Sequence, residues 1–224
     1  MTTSQRILYN LRNVSLFKTL WLNVHCFGWR RGWRLPVFVY RHTLVERVKK
    51  SAVVVEGPLQ TGMIRIGQRI QTTIAPRQTT VLNLYGRVVF AGSAVIGNGT
   101  ALMVEDNACL RLGRNFTVTG RSTICCKTSV TFGDDCLLSW DVQVMDDDHH
   151  ELIASDGARL NAPQPIVLGR HVWVCSRVSL LKGTCLPDDC IVAAGSTVSR
   201  RVEESGCLVG DRGKVIRRNI QWRE

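Results

Sequence analysis

Every sixth residue from Leu168 to Val198 is a branched aliphatic: Leu168, Val174, Leu180, Leu186, Val192 and Val198. Small residues stand two positions before three of them (Thr184, Cys190, Ser196), and glycine repeatedly follows the aliphatic position further upstream. Together these observations predict a mainly β chain wound as a left-handed parallel β-helix. Branched aliphatics fill roughly a third of positions in an average chain, so such a run at a fixed phase is about a one-in-a-thousand event. A helix repeats at 3.6 residues and a strand at two, so neither explains a period of six. Six residues suit one short flat strand plus one corner, and three such sides close a triangular coil. The aliphatic residue points inward and stacks on its equivalent in the next coil. Gly97, Gly113, Gly133 and Gly169 follow Ile96, Leu112, Phe132 and Leu168. They are expected at the corners, where a small residue or one with positive φ is needed.

The phase continues upstream through Leu84, Phe90, Ile96 and Leu102, and again through Leu112, Val118, Ile124 and Val130. A slip of two residues leads to Phe132, Leu138 and Val144. The expected organisation is a basic amphipathic N-terminal segment or cap (1–50), irregular first coils (51–83) and a β-helix over 84–201. An excursion loop over 146–165 interrupts the helix, where positions 150, 156 and 162 are His, Asp and Ala. The tail, 202–224, is expected to fold back over the open end, since solenoids need capped ends.

Charge is unevenly spread. The formal net charge is +11, and residues 1–50 contribute ten Lys/Arg against the single acid Glu46. Within this segment Ile7, Leu8, Leu11, Val14, Phe17, Leu20, Trp21 and Val24 have the spacing of one helical face. Gly28–Arg34 then interleaves tryptophan with arginine. Two readings stay open: a helical cap with an exposed basic face, or contact with a membrane surface, where indole sits at headgroup level and arginine meets anionic lipid. Nucleic acid is not expected, because no binding motif accompanies the charge. The nine cysteines show no zinc spacing and read as small buried hydrophobes of a reducing compartment. Nowhere do 18 apolar residues run together. Scattered arginines near the N-terminus do not suit a signal peptide. A cytoplasmic chain is expected, peripheral at the inner face of the membrane if residues 1–50 bind lipid.

The repeat breaks at Met145-Asp146-Asp147-Asp148-His149-His150. Loops on a rigid scaffold collect reactive groups, and a histidine there can act as a general base near neutral pH. On an extended segment Asp148 and His150 would share a face, with Asp146 behind. A solvated acidic turn with two surface histidines is the plainer alternative.

The repeat and this loop together resemble the hexapeptide-repeat acyltransferases, and within them the sugar O-acetyltransferases of bacterial polysaccharide synthesis. The resemblance covers roughly residues 84–218 and is strongest from Pro165-Ile166-Val167-Leu168-Gly169 through Ala193-Ala194-Gly195-Ser196. It implies an enzyme using acetyl-CoA as acyl donor, no metal, and a homotrimer with the donor bound between subunits. His150 would be the base, Asp148 its partner, and His149 the second choice. Trp173 would line the thioester end, unless it is an aromatic simply packed between subunits. Ser176 and Ala194 would contact the pantetheine arm. Ser199, Arg200 and Arg217 would lie near the phosphates, and Lys182 would join them unless it is only a solvated corner. The acceptor would be a sugar, a nucleotide sugar or a lipid-linked glycan. Cys175, Leu186-Pro187 and Gly210-Asp211-Arg212-Gly213 depart from the family pattern. Two other readings are a non-catalytic β-helix scaffold and a zinc enzyme like the γ-type carbonic anhydrases. The latter needs three histidines gathered across an interface, and the repeat region offers only His149, His150 and His171, in a different spacing.

Overall fold

A computed structural model describes Tyr9 and residues 12–223 of the chain. Ile7, Leu8 and Leu11, which the sequence places on the apolar face of an N-terminal helix, lie outside the described residues. The described residues form three sheets of nine, seven and six strands. Up to Thr197–Val198, successive strands go to successive sheets and pair in parallel with the strand one coil away, as in Val118↔Leu138, Leu138↔Val174 and Val174↔Val192. This is the left-handed parallel β-helix that the period of six predicts. The six aliphatics from Leu168 to Val198 all point into the core, each at most 1% exposed.

Strand pairing reaches back to Val37–Val39, which pairs with Ile64–Ile66. The period is hard to follow there because the early corners are long: Ile66 and Leu82, inward positions on consecutive sides, are separated by sixteen residues. Further along, two of the three corners keep strict spacing and one does not. Between the second sheet (seven strands) and the third (six strands), Ile124 to Phe132 takes eight residues, Leu102 to Leu112 ten and Leu180 to Leu186 six. The slip of two at Val130/Phe132 is this corner, since both residues point inward on one strand. The excursion from Met145 to Ile166 leaves the helix at the same corner.

The four glycines after the aliphatic positions serve a purpose other than positive φ. None of Gly97, Gly113, Gly133 or Gly169 is among the positive-φ residues. A Cβ on Gly113 would lie 2.2 Å from the Gly133 carbonyl oxygen, and one on Gly133 would lie 2.5 Å from that of Gly169. The stacked corners approach too closely for any side chain. The left-handed positions fall two residues later, on Asn115, Asp135 and His171. Asn and Asp tolerate that conformation better than most residues.

Helix α1 (Leu16–Gly32) starts at the cap Ser15 and lies against the first coil. Its buried face is Thr19, Leu22, Asn23 and Cys26, whereas Leu16, Phe17, Leu20 and Trp21 are exposed. Of the apolar face read from the sequence, Val14 is buried, whereas Phe17, Leu20 and Trp21 point away from the coil. The first strand presents unpaired backbone groups, and the inward face of the helix must satisfy them. Asn23 does so by donating to the Val37 carbonyl (2.7 Å) and accepting from the Val37 N–H (3.1 Å). The Thr19 hydroxyl accepts from the Val39 N–H at 3.0 Å. Asn23→Leu keeps the volume but strands two buried backbone groups. It is expected to lower unfolding stability by about 2–4 kcal/mol, read as a shift in the urea midpoint with unchanged slope.

At the other end Val215–Arg217 pairs antiparallel with Leu208–Val209 and ends the parallel stack. The chain then returns along the first sheet, where Trp222 is buried, stacks on His171 at 4.3 Å between centroids and donates to the His171 carbonyl at 2.8 Å.

Candidate active site

The site is built where the excursion leaves the corner between the second and third sheets. Asp146, the first residue of the excursion, is 1% exposed. Its carboxylate accepts the backbone N–H groups of Lys127 (2.7 Å), Thr128 (2.8 Å) and Ser129 (2.8 Å), and the Thr128 hydroxyl (2.8 Å). The residues of the previous coil's longer corner therefore anchor the loop. Asp147 is also buried. It accepts from Lys127 Nζ at 2.9 Å and from the His149 N–H at 2.7 Å, and Arg159 approaches at 3.4 Å. Burial raises the Asp147 pKa, but these donors outweigh it and hold the carboxyl below its ordinary value.

The expected pairing of Asp148 with His150 is not what the geometry provides. His149 has a φ of 63°, so the chain turns where an extended segment would put residues two apart on one face. The His150 N–H donates to the Asp148 backbone carbonyl at 2.8 Å. The Asp148 carboxylate instead accepts from Lys182 Nζ (2.5 Å) and Asn161 Nδ2 (2.8 Å). His150 is exposed, and its ring has no hydrogen-bond partner among the described residues. His149 is exposed too, with Nδ1 3.9 Å from Glu105.

Asn161 pins the loop in a way the sequence does not advertise. It is buried, donates to Asp148 and to the His150 carbonyl (2.8 Å), and accepts from the Leu152 N–H (2.7 Å). Lys127 and Arg159 are likewise silent in the sequence, because their roles depend on which coil lies beneath the loop. Cys125 and Cys126 line the floor. Burial pushes the Cys125 thiol up and that of Cys126 up to about 12, so neither is a thiolate near neutral pH.

Lys182 and Asn161 hold the Asp148 carboxyl below its ordinary value. A depressed folded-state value stabilises the loop above the unfolded-state value, about 3.9. That contribution is lost as pH falls through the lower folded value. Lys182→Met is expected to move the loss upward, so that amides of the 146–165 loop exchange faster near pH 4 than in the parent. Hydrogen exchange against pH reads this directly.

The other expected site residues fall on two edges. Lys182 and Arg200 follow the register partners Leu180 and Val198 by two residues, so they stand on neighbouring coils at the loop's own corner. Ser199 precedes Arg200 there, and both are exposed. Ser176 and Ala194 lie at the corner between the first and second sheets, where the Gly195 N–H donates to the Ser176 carbonyl at 3.0 Å. Trp173 is half-buried on the first sheet; its indole N–H donates to Ser139 Oγ at 3.1 Å and its ring tilts against Trp222. Arg217 is exposed on the final strand. Within one protomer, therefore, Lys182, Ser199 and Arg200 adjoin the loop, whereas Trp173 stands on the side of the triangle opposite the loop's corner. Among the described residues, no three His, Cys, Asp or Glu side chains gather as a metal site.

Comparison with known proteins adds to the geometry. No family model matches the chain. It is 31% identical over 113 residues to a polysialic acid O-acetyltransferase of Escherichia coli O1:K1 / APEC, covering 50% of this chain and 37% of that one. It is 29% identical over 110 residues to the galactoside O-acetyltransferase of Escherichia coli (strain K12), covering 48% and 53%. The chain thus spans about half or less of the length of these relatives. The crystal structure of the polySia specific acetyltransferase NeuO superposes with a TM-score of 0.62 at 21% identity, over 81% of this chain and 79% of that one. In its coil architecture and in its sequence, the chain is similar to the hexapeptide-repeat O-acetyltransferases.

Proposed function

We propose that this chain is an acetyl-CoA-dependent O-acetyltransferase that acts on a hydroxyl of a sugar or glycan, with His150 as general base. The observation that carries the reading is an exposed histidine, free on its ring, held on a pinned loop at the corner that also bears Arg200. The similarity to O-acetyltransferases named for polysialic acid and galactosides supports the acceptor class.

In this reading, His150 takes the proton of the acceptor hydroxyl as that oxygen attacks the thioester carbonyl carbon. The C–S bond breaks, coenzyme A leaves as a thiolate, and the imidazolium returns the proton to sulfur. Asp148 acts through the loop backbone, held by Lys182 and Asn161, and not on the imidazole ring. Arg200 and Arg217 have no acidic partner among the described residues and are exposed. They suit the phosphates of the donor. The small Ser176 and Ala194 leave space for its narrow arm. Trp173 and the His150 loop would line one groove only if a second copy supplies one of them. The proposal therefore includes a homotrimer, with three equivalent grooves between subunits.

The deciding experiment measures coenzyme A release from acetyl-CoA in the presence of sugars, nucleotide sugars and lipid-linked glycans. At 100 times its Kd, coenzyme A should stabilise the protein by about 2.7 kcal/mol. A β-helix scaffold without catalysis would show neither turnover nor a thermal shift, and that result would defeat the proposal.

A further inference from the structure

Helix α1 satisfies the first coil with one face and leaves the other uncovered. Leu16, Phe17, Leu20 and Trp21 lie on two successive turns of that outer face, with Leu16 and Phe17 75% and 79% exposed. After Gly28, which interrupts the helix with φ 73°, Trp29 and Trp33 are 62% and 59% exposed and stacked on each other. Six large apolar side chains facing water along the helix and its C-terminal cap exceed the scattered exposure usual for a soluble surface.

The charge beside them has one sign. No Asp or Glu occurs between Met1 and Val45. Arg30, Arg31 and Arg34 are exposed and have no acidic partner among the described residues. Arg31 and Lys50 also line a cavity of about 390 Å³ between the helix and the edge of the third sheet, beside Phe27 and Val54. Lys50 likewise has no acidic partner.

We propose that this outer face docks on an anionic lipid bilayer. The indoles of Trp29 and Trp33 sit at headgroup level, Phe17, Leu20 and Trp21 enter the acyl boundary, and Arg31 and Lys50 hold a lipid phosphate in the cavity between them. Tryptophan with arginine is the pairing that such an interface selects. A protein partner that covered this patch would need acidic groups opposite at least three unpaired guanidinium groups. A second copy of this chain offers the same basic patch and would meet it with repulsion in a two-fold arrangement. The bilayer satisfies both the apolar and the charge requirement with one surface. This inference is independent of the acetyltransferase reading.

The test is flotation of the full chain with vesicles of phosphatidylglycerol and phosphatidylcholine, against phosphatidylcholine alone, at low and high salt. The expected result is binding to the anionic vesicles at low salt, a blue shift of tryptophan emission, and weakening by salt. Each cation removed should weaken partition about fivefold. Arg31→Gln with Lys50→Gln should therefore lose tenfold or more, and Trp29→Ser with Trp33→Ser a comparable amount, with melting temperatures unchanged because all four residues are on the surface side. Failure of the parent chain to bind anionic vesicles at low salt would overturn the proposal. So would equal binding by parent and both variants. Sedimentation of the same proteins closes the remaining escape: if the tryptophan variant falls to a smaller oligomer than the parent, the face is an interface between copies and the proposal is wrong.

Discussion

Replacing His150 with alanine is expected to cut acetyl transfer by about 10²–10⁴-fold, the range general base catalysis supplies, while leaving the melting temperature within about 1 °C of the parent. Both halves follow from the geometry. The ring of His150 is exposed and carries no hydrogen bond among the described residues, so its removal strands no partner. The loop is held by other groups: Asp146 on the coil beneath, and Asn161 on the His150 backbone carbonyl. The loss should fall on kcat and not on the KM for acetyl-CoA, because the base acts on the acceptor oxygen. His149→Ala provides the contrast. Its ring faces Glu105 at 3.9 Å, and its backbone has a φ of 63°, so alanine there changes the turn more than the chemistry. If His150→Ala turns over near normally while His149→Ala does not, the base is His149 and the assignment moves by one residue.

Asp146→Ala is expected to destabilise the protein by about 3–5 kcal/mol, the scale on which a buried group with several unreplaced partners is lost. Three backbone N–H groups and one hydroxyl converge on this carboxylate, and an alanine methyl satisfies none of them. Asn is no remedy, because its NH₂ would face donors. The loss should be partly local, freeing residues 127–129 and the loop together, so that proteolysis within 146–165 accelerates before global unfolding. A denaturant melt combined with limited proteolysis reads both. A midpoint equal to that of the parent would mean that water replaces the carboxylate without cost, and that the loop is anchored elsewhere.

The β-helix was legible because its core follows one rule. Leu180 and Val198 obey it in both sequence and space, and so do Val174 and Val192. The rule becomes faint wherever a corner lengthens, so the coils before Leu84 are legible only as irregular ones. The glycines were legible as corner residues but their cause was not. Close approach between stacked carbonyls is a property of the neighbouring coil and leaves no mark on the residue itself. Apolar spacing did not settle which face of helix α1 packs inward, for a related reason. Its inner face answers an open β edge with Thr19 and Asn23, and polar residues there look like a solvent face when read alone. The loop was found because it breaks the period, and His150 with it. The partnership of Asp148 with Lys182 was not foreseen. Lys182 is thirty-four residues away and reaches Asp148 only because Met145 and Leu181 are register partners.

A β-helix is a fibril in principle: identical ladders continue for as long as new rungs are supplied. Here growth is stopped at both ends by different means. The strand from Leu208 to Val209 takes an antiparallel partner that no further coil can extend, and Val37–Val39 takes amide and hydroxyl groups from a helix in place of another strand. Asn23 and Thr19 thus act as chain terminators, and the length of the molecule is set by where they stand.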